Sequence, residues 1–172
     1  AMKFRFYDCL KKKLIKPQYE KNLTVYNKTV LTAYKKGLYG FIGWKNEPFS
    51  KIEFEEIRFW NDSAALVRKN NEWIIYEIST GKILLDKIQD YRLIRDNQKE
   101  KLAIVLQEHR YGVIHNITGT VIPITFSDII NVGSSAEPLY FTEKHVEEAS
   151  IFVVIYYDSR GKMLRREIYE QD

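Results

Sequence analysis

A hairpin pattern closed by glycine recurs along this chain and limits the folds open to it. Residues 73–85, WIIYEISTGKILL, and residues 111–123, YGVIHNITGTVIP, each read as an apolar strand, a turn and a second apolar strand. Gly81, Gly119 and Gly161 hold the last turn position, where the backbone must enter the left-handed region that glycine tolerates. The recurrence of one short sequence unit predicts a repeat fold.

Two further sets of residues recur at fixed distances from these turns, and we call each set a column. In the two earlier units, Lys12 and Glu47 hold the position equivalent to the turn glycine. Successive turn positions from Lys12 to Gly161 are then 35, 34, 38 and 42 residues apart. Large apolar residues lie seven positions after the turn position, at Tyr19, Phe54, Ile88, Phe126 and Ile168. Aromatic residues lie eight positions before it, at Phe4, Tyr39, Trp73 and Tyr111. We expect the last three of these aromatic side chains to occupy equivalent buried environments.

These columns resemble the WG-containing repeat, whose units start with an aromatic residue and glycine and continue through a turn glycine to further apolar strands. Residues 39–42 (YGFI) and 111–114 (YGVI) resemble the first element, with tyrosine in place of tryptophan. Residues 119–123 (GTVIP) resemble the turn and second strand, and 64–69 (AALVRK) the third strand. The resemblance covers nearly the whole chain in about four and a half divergent units, and Trp73 departs from it because isoleucine follows. It implies an interaction module without an assigned reaction.

The repeat pattern predicts an all-β fold of three-stranded antiparallel meanders. Each meander leaves an apolar face that only a neighbouring unit can bury, so the units must stack as a small propeller-like or open β-repeat array. We predict a single β-repeat domain over residues 2–172, with Ala1 a cloning remnant. Its units are roughly 3–35, 36–69, 70–107 and 108–157, with a half unit at 158–172. Residues 133–149 are interpreted as an insertion, in which 142–149 (TEKHVEEA) form one or two helical turns.

Cysteine content and hydropathy favour a soluble protein of a reducing compartment. Cys9 is the single cysteine, so this chain forms no internal disulfide and no thiolate zinc cluster. The longest uninterrupted apolar run, residues 151–157, has seven residues, far fewer than the ~20 that span a membrane. Charges interrupt every apolar stretch near the start, so no signal peptide is recognised. We expect a cytoplasmic protein without a membrane partner.

No arrangement of reactive residues predicts catalysis. His109, His115 and His145 lack metal-ligand spacing. The adjacent pairs Glu55–Glu56 and Glu147–Glu148 would face opposite ways on a strand, which does not suit a shared acid and base role. Ser134 and Ser135 lack a nucleophile-elbow motif. The chain is therefore predicted to be non-enzymatic, with no catalytic residue, metal or cofactor.

The charge distribution leaves two hypotheses open for function. Residues 1–51 carry twelve Lys or Arg against three Asp or Glu, a net of +9, whereas residues 52–172 carry fifteen against twenty, a net of −5. The first hypothesis is a protein-interaction module, and the alternative is binding of nucleic acid or another polyanion through the basic N-terminal half. Candidate partner-binding residues are Lys11, Lys12 and Lys13 in the basic stretch, and Tyr140 and Phe141 in the insertion. Counterion release would give polyanion binding a steep salt dependence, which an apolar protein interface would lack.

Overall fold

The computed structural model describes residues 4–8, 13–19 and 23–172, with side chains described at Tyr19 and from Leu23 onward. The chain divides into two compact units, residues 1–86 and 87–172. Within the described ranges the protein is all-β, with no α-helix and one 3-10 turn at Glu147–Ala149. Its strands pair antiparallel and its sheets remain open.

The first unit contains eight complete strands among its described residues. They are β1 (Phe4–Asp8), β2 (Lys13–Tyr19), β3 (Thr24–Val25), β4 (Val30–Lys35), β5 (Leu38–Gly43), β6 (Glu56–Phe59), β7 (Ala64–Lys69) and β8 (Glu72–Glu77). Neighbours in the sheets follow chain order: β1 pairs with β2, β4 lies between β3 and β5, and β7 lies between β6 and β8. This is the meander connectivity that short turns between successive strands predict.

The second unit contains two four-stranded meanders. The strands are β9 (Ile83–Asp96, which runs through the division between the units), β10 (Lys101–Gln107), β11 (Arg110–His115), β12 (Gly119–Phe126), β13 (Asp128–Asn131), β14 (Tyr140–Val146), β15 (Ile151–Tyr157) and β16 (Met163–Glu170). Strands β9 to β12 follow one another in chain order within a sheet whose strand β9 begins in the first unit, and β13-β14-β15-β16 form a separate four-stranded sheet. This second sheet has one strand more than the three-stranded meander expected from the sequence.

The hairpins share one register. The residues of the two sequence columns lie opposite one another, fifteen positions apart, as Phe4 and Tyr19, Tyr39 and Phe54, and Tyr111 and Phe126. The same separation joins Val153 to Ile168 in the hairpin of β15 and β16. The spacing read from the sequence thus corresponds to a recurring cross-strand pairing.

Glycine fulfils two different steric requirements in these hairpins. At the turns, Gly81, Gly119 and Gly161 have φ of +73°, +86° and +79°, which confirms the predicted left-handed conformation. The glycine after the aromatic residue is needed for close approach: a Cβ on Gly112 would lie 2.7 Å from the Ile124 Cα. A Cβ on Gly40 would likewise meet backbone, at 2.7 Å from a carbonyl oxygen.

Asparagine organises the turns that precede the central strands of the sheets. The side-chain oxygen of Asn27 accepts hydrogen bonds from the amides of Thr29 and Val30, at 2.9 and 2.8 Å. Asn61 and Asn97 repeat the pattern, each accepting from the amides two and three residues ahead. Such bonds stabilise a tight turn without help from other strands. The spacing of 34 and 36 residues between the three asparagines makes them a further column of the repeat.

Two buried clusters form the core of the first unit. One contains Leu31 and Ile42 at its centre, and the other is aromatic, with Phe41 stacked on Tyr76 at 6.0 Å between ring centroids. Trp73 is buried, 8% exposed, and the Arg58 guanidinium lies 4.5 Å from its ring centroid. Tyr39, in the same sequence column, is only half-buried, so its environment does not match that of Trp73.

Buried side chains from both sheets form the core of the second unit. Its buried members are Leu102, Ile104, Val113, Ile122, Phe126, Ile129 and Tyr140. Tyr111 packs against this cluster but stays half-buried, so the expectation of equal burial along the aromatic column is wrong at this position too. The cause is local: this tyrosine lies at the edge of a surface cleft rather than between two layers.

The second half of the segment interpreted as an insertion contains a strand of the sheet. Tyr140–Val146 forms β14, which pairs with β13 and β15, and only Glu147–Ala149 makes a helical turn. The predicted helical turns over 142–149 are therefore wrong for most of that stretch. Pairing on both sides of β14 outweighs the helix-forming tendency of its charged residues. Among the described residues, no helix has the length and apolar character to cross a membrane.

Candidate functional site

The second unit contains a polar cleft of about 640 Å³ at one end of its sheets. The turn between β9 and β10 contributes Arg95 and Glu100, and the hairpin of β11 and β12 contributes His115. The other lining residues are Leu102, Thr118, Thr120, Val121, Ala136, Glu137, Ser159 and Arg160. Two basic and two acidic side chains face this cleft, so it favours no single sign of charge.

Glu100 lies between two other polar groups of the cleft, those of Arg95 and His115. Its Oε1 lies 3.0 Å from the His115 Nε2 and also accepts a hydrogen bond from the Arg95 guanidinium. These bonds, that of His115 first, hold the pKa of the Glu100 carboxyl below its ordinary value. Glu100 is therefore a carboxylate at neutral pH and not a proton donor.

The surroundings of His115 assign its tautomer. The Nδ1 atom accepts hydrogen bonds from the backbone amides of Ile117 and Thr118, at 3.3 and 3.2 Å. The proton of the neutral ring is thus on Nε2, which donates to Glu100. Both ring nitrogens of His115 therefore make hydrogen bonds within the protein.

Arg95 connects the β9–β10 turn to the segment that leads into β14. Its Nε donates to the Ser135 carbonyl oxygen at 3.0 Å and its Nη2 to the Ala136 carbonyl oxygen at 2.9 Å. Ser159, the nearby hydroxyl of the cleft, donates to Glu137 at 2.8 Å rather than to the imidazole. The hydroxyl beside the imidazole is that of Thr118, 3.2 Å from the His115 Nδ1. The polar groups of the cleft therefore fix three loops in place.

A second cleft, which we call the tyrosine cleft, has a volume of about 380 Å³. It is lined by Asp90, Tyr91, Arg92, Ile104, Leu106, Tyr111, Asp128, Ile129 and Ile130. Ile104 is buried beneath it, whereas Ile130 is 44% exposed. Aliphatic and aromatic side chains predominate, and the two aspartates outnumber the one arginine. This composition suits an apolar side chain of a partner with a basic group beside it.

The structure separates the residues predicted to bind a partner. Lys11 and Lys12 lie outside the described residues, and Lys13 begins β2 opposite Asp8, with its side chain not described. Tyr140 is fully buried, so its ring is not available at the surface. Phe141 is half-buried, with its ring 5.5 Å from that of Tyr156.

The buried hydroxyl of Tyr140 has an unusual environment. Within residues 23–172, no hydrogen-bond partner reaches its Oη. Burial raises the pKa of Tyr140 from 10.0 to about 12, although the positive charge of Arg95 opposes the shift. The side chain therefore belongs to the core and remains neutral over the ordinary pH range.

Sequence reasoning considered His115 but assigned it no role, and it did not anticipate the partners of this side chain. The turn between β9 and β10 was not recognised from the sequence. Asn97 stabilises this turn, and the pairing of β9 with β10 places Arg95 opposite Leu102. The asparagine column would have indicated this turn. Of the other histidines, His109 is exposed and His145 stacks on Phe152 at 4.5 Å. Among the described residues, no three His, Cys, Asp or Glu side chains gather in a way that could hold a metal ion.

Comparison with known proteins gives only distant structural neighbours. No protein-family model matches the sequence. No curated protein matches it either. Among solved structures, a eukaryotic initiation factor is similar over 98% of this chain and 52% of its own, with 9% identity and a TM-score of 0.40. The SREBP–SCAP binding domains of fission yeast are similar over 92% and 51%, with 10% identity and a TM-score of 0.33. The chain spans about half the length of these neighbours, and at these TM-scores neither assigns a family or an activity to it.

Proposed function

We propose that this protein is a non-enzymatic protein-interaction module that binds a peptide segment of its partner in the tyrosine cleft. The cleft carries this proposal because it is an open recess in which six of the nine lining side chains are aliphatic or aromatic. Tyr91 and Tyr111 supply large, rigid contact surfaces, and Leu106 adds an apolar contact beside them. Recesses of this kind accommodate an anchoring side chain of a partner.

The charges around the tyrosine cleft define the kind of segment that fits. Asp90 and Asp128 are exposed, and Arg92 is the one basic side chain of the lining. An apolar side chain of the partner would enter the cleft while a neighbouring lysine or arginine lies near the aspartates. Complementary charge of this type improves selectivity and association rate more than affinity.

The polar cleft supports a binding role over a catalytic one. A general base needs a free lone pair directed at the proton it removes, and the His115 nitrogens already make hydrogen bonds within the protein. The Ser159 hydroxyl donates to a carboxylate. These groups stabilise the loops and require rearrangement before they could react.

The repeat architecture completes the proposal. The shared hairpin register, the turn glycines and the asparagine column support a divergent array of WG-like units, of about four and a half meanders, in a propeller-like or open arrangement. Such arrays present loops and strand edges of successive units along one surface and are suited to partner binding. Residues outside the repeat columns then determine which partner is bound.

A displayed peptide library screened against the full chain tests this function. We expect enrichment of peptides with an apolar or aromatic residue next to Lys or Arg, and we expect Ile130→Glu to abolish their binding. Ile117→Glu is the matched control, because Ile117 is 69% exposed and lies outside the tyrosine cleft. Peptides that bind both variants equally, or no enrichment at all, would contradict the proposal. Salt-sensitive binding of nucleic acid would instead favour the polyanion alternative through residues 1–51.

A further inference from the structure

Four turns among the described residues are stabilised by one hydrogen-bond pattern, and one of the four uses histidine in place of asparagine. The side-chain oxygens of Asn27, Asn61 and Asn97 accept hydrogen bonds from the backbone amides two and three residues ahead. The Nδ1 atom of His115 accepts from amides at the same two distances along the chain, at 3.3 and 3.2 Å. In the turn between β11 and β12, an imidazole nitrogen therefore takes the place of the amide oxygen used in the other three turns.

The two kinds of acceptor respond differently to protons. The side-chain oxygen of asparagine accepts hydrogen bonds at every ordinary pH. A neutral imidazole has one acceptor nitrogen, and an imidazolium has none because both of its nitrogens carry protons. Histidine is also the side chain whose charge changes between pH 5 and 8 in its ordinary state. Protonation of His115 therefore deprives both amides of their acceptor, whichever way the ring is rotated.

The other nitrogen of this imidazole is held independently of the turn. Its Nε2 lies 3.0 Å from the Glu100 Oε1, which also accepts from Arg95. An imidazolium keeps this bond, and the opposite charge of the carboxylate strengthens it. The remaining charged residues of the cleft, Glu137 and Arg160, are of opposite sign. The Thr118 hydroxyl, 3.2 Å from Nδ1, can turn to accept from the protonated nitrogen, which the backbone amides cannot do.

We propose that residues 117 and 118 form a proton-sensitive turn, ordered by neutral His115 and released by its imidazolium. The side chain of His115 is 13% exposed, so the proton comes from solvent. It binds to Nδ1, and the amides of Ile117 and Thr118 then donate to water instead. The ring stays attached to Glu100 through Nε2 while the chain beyond it moves.

The movement is limited to one wall of the polar cleft. Asn116 stays in place, because its side-chain oxygen accepts from the Lys101 amide at 3.0 Å and its Nδ2 donates to the Lys99 carbonyl oxygen at 3.1 Å. Thr118 lines the polar cleft, so acidification reshapes the cleft there. The polar cleft and the tyrosine cleft share no lining residue. The inference therefore goes beyond the proposed function, and either can fail alone.

Nuclear magnetic resonance of the ¹⁵N-labelled full chain tests this inference in a titration from about pH 8 to about pH 5. Long-range ¹H–¹⁵N correlation reports which ring nitrogen of His115 carries the proton, and at the upper pH we expect it on Nε2. As the ring becomes protonated, the order parameters of the Ile117 and Thr118 amides should fall from about 0.85 to below about 0.6. Those of Asn116 and Lys99 should stay at about 0.85, because their hydrogen bonds do not involve the imidazole.

Two asparagine substitutions separate His115 from the other titrating groups. His115→Asn gives this turn the side chain that the other three turns use, so Ile117 and Thr118 should stay ordered at both ends of the titration. His109→Asn is the matched control, because His109 is exposed, lies outside the polar cleft and has a φ of +67°, which asparagine tolerates. This control should keep the full response to pH.

The unmodified chain alone can refute the inference, so the test does not depend on a variant that folds. A proton on Nδ1 at the upper pH overturns it, and so does an imidazole that stays neutral throughout the titration. Amides of residues 117 and 118 that remain ordered beside a protonated ring overturn it as well. In His115→Asn, the same loss of order on acidification would assign the effect to another group and reject the role of this histidine.

Discussion

Two tyrosine hydroxyls with opposite surroundings allow a direct test of how hydrogen bonding stabilises each unit. Tyr26 in the first unit has partners for its hydroxyl, and Tyr140 in the second has none among the described residues. Replacing each by phenylalanine removes one oxygen atom and little else. We therefore expect effects of opposite sign from the same chemical change.

The Tyr26 hydroxyl stabilises the contact between two successive turns. It donates to the Ala64 carbonyl oxygen at 2.7 Å, with the Asn61 carbonyl oxygen 3.1 Å away, and it lies 3.4 Å from the Trp60 amide nitrogen. Tyr26→Phe removes this donor while the Ala64 carbonyl oxygen still accepts from the Asn61 amide at 3.0 Å, so we expect a loss of about 0.5–1.5 kcal/mol. Burial raises the pKa of Tyr26 well above its ordinary value, so the bond persists in mildly alkaline solution.

Tyr140→Phe removes a buried hydroxyl that makes no compensating bond. The desolvation cost of such a group is about 1–3 kcal/mol, so the variant should equal or exceed the unmodified chain in stability. The pKa of Tyr140 is about 12 when folded and 10.0 as its ordinary value. The folded state thus keeps the proton longer, and stability is lost as pH rises from 10 to 12. The variant lacks this loss, which amounts to about 3 kcal/mol over that interval.

Hydrogen exchange by mass spectrometry measures each effect in its own unit. Tyr26→Phe should raise exchange in peptides covering 56–69 and leave peptides of 140–157 unchanged, whereas Tyr140→Phe should leave the first set unchanged. Urea unfolding at pH 7 and above pH 10 gives the free energies. A Tyr140→Phe variant that loses more than about 1 kcal/mol at pH 7 would refute the reasoning, because its hydroxyl would then have a stabilising partner. A neutral Tyr26→Phe would do the same for the first unit.

Three further substitutions test features of the hairpins. Gly112→Ala should lower stability by about 1–3 kcal/mol, measured by urea unfolding, because its Cβ would overlap the Ile124 backbone; an unchanged midpoint would mean that the strands separate easily. Trp73→Ala should cost about 3–5 kcal/mol in the same assay, as expected of a buried indole, and a loss below about 1 kcal/mol would contradict its burial. Asn97→Ala should lower the free energy of unfolding by about 1 kcal/mol and speed amide exchange at Lys99 and Glu100, because it removes their hydrogen bonds to the Asn97 side chain. Unaltered exchange at these amides would show that the Asn97 side chain does not stabilise the turn.

The recurring hairpins were predictable because their determinants are local. Turn glycines need positive φ, and the fixed separation between Tyr111 and Phe126 reflects a register set by the turn. Strands β13 and β14 of the last sheet were not predictable from hydropathy. Asp128–Asn131 has only one buried side chain, and Tyr140–Val146 alternates with charged residues that also suit a helix. Tertiary pairing, rather than intrinsic preference, determines both.

The candidate sites depended on information that one sequence does not contain. Arg95 and His115 are twenty residues apart, and only the turn at Asn97 and the following hairpin bring them to the same carboxylate. Tyr140 was a candidate partner-binding residue because it lies in the segment interpreted as an insertion, but its alternating position on β14 directs the ring into the core. Whether a side chain points into the core depends on the bounds of its strand and on its alternating position along that strand. Neither is known until the strand has been recognised.

Tryptophan fluorescence can report on the first unit separately from the second. Trp44, Trp60 and Trp73 are the three tryptophans of the chain, and all belong to residues 1–86. Indole fluorescence consequently reports the melting of that unit alone, whereas the amide absorption of the strands reports both. If the two curves coincide, the units unfold as one cooperative body; a gap between them measures their independence without any added probe.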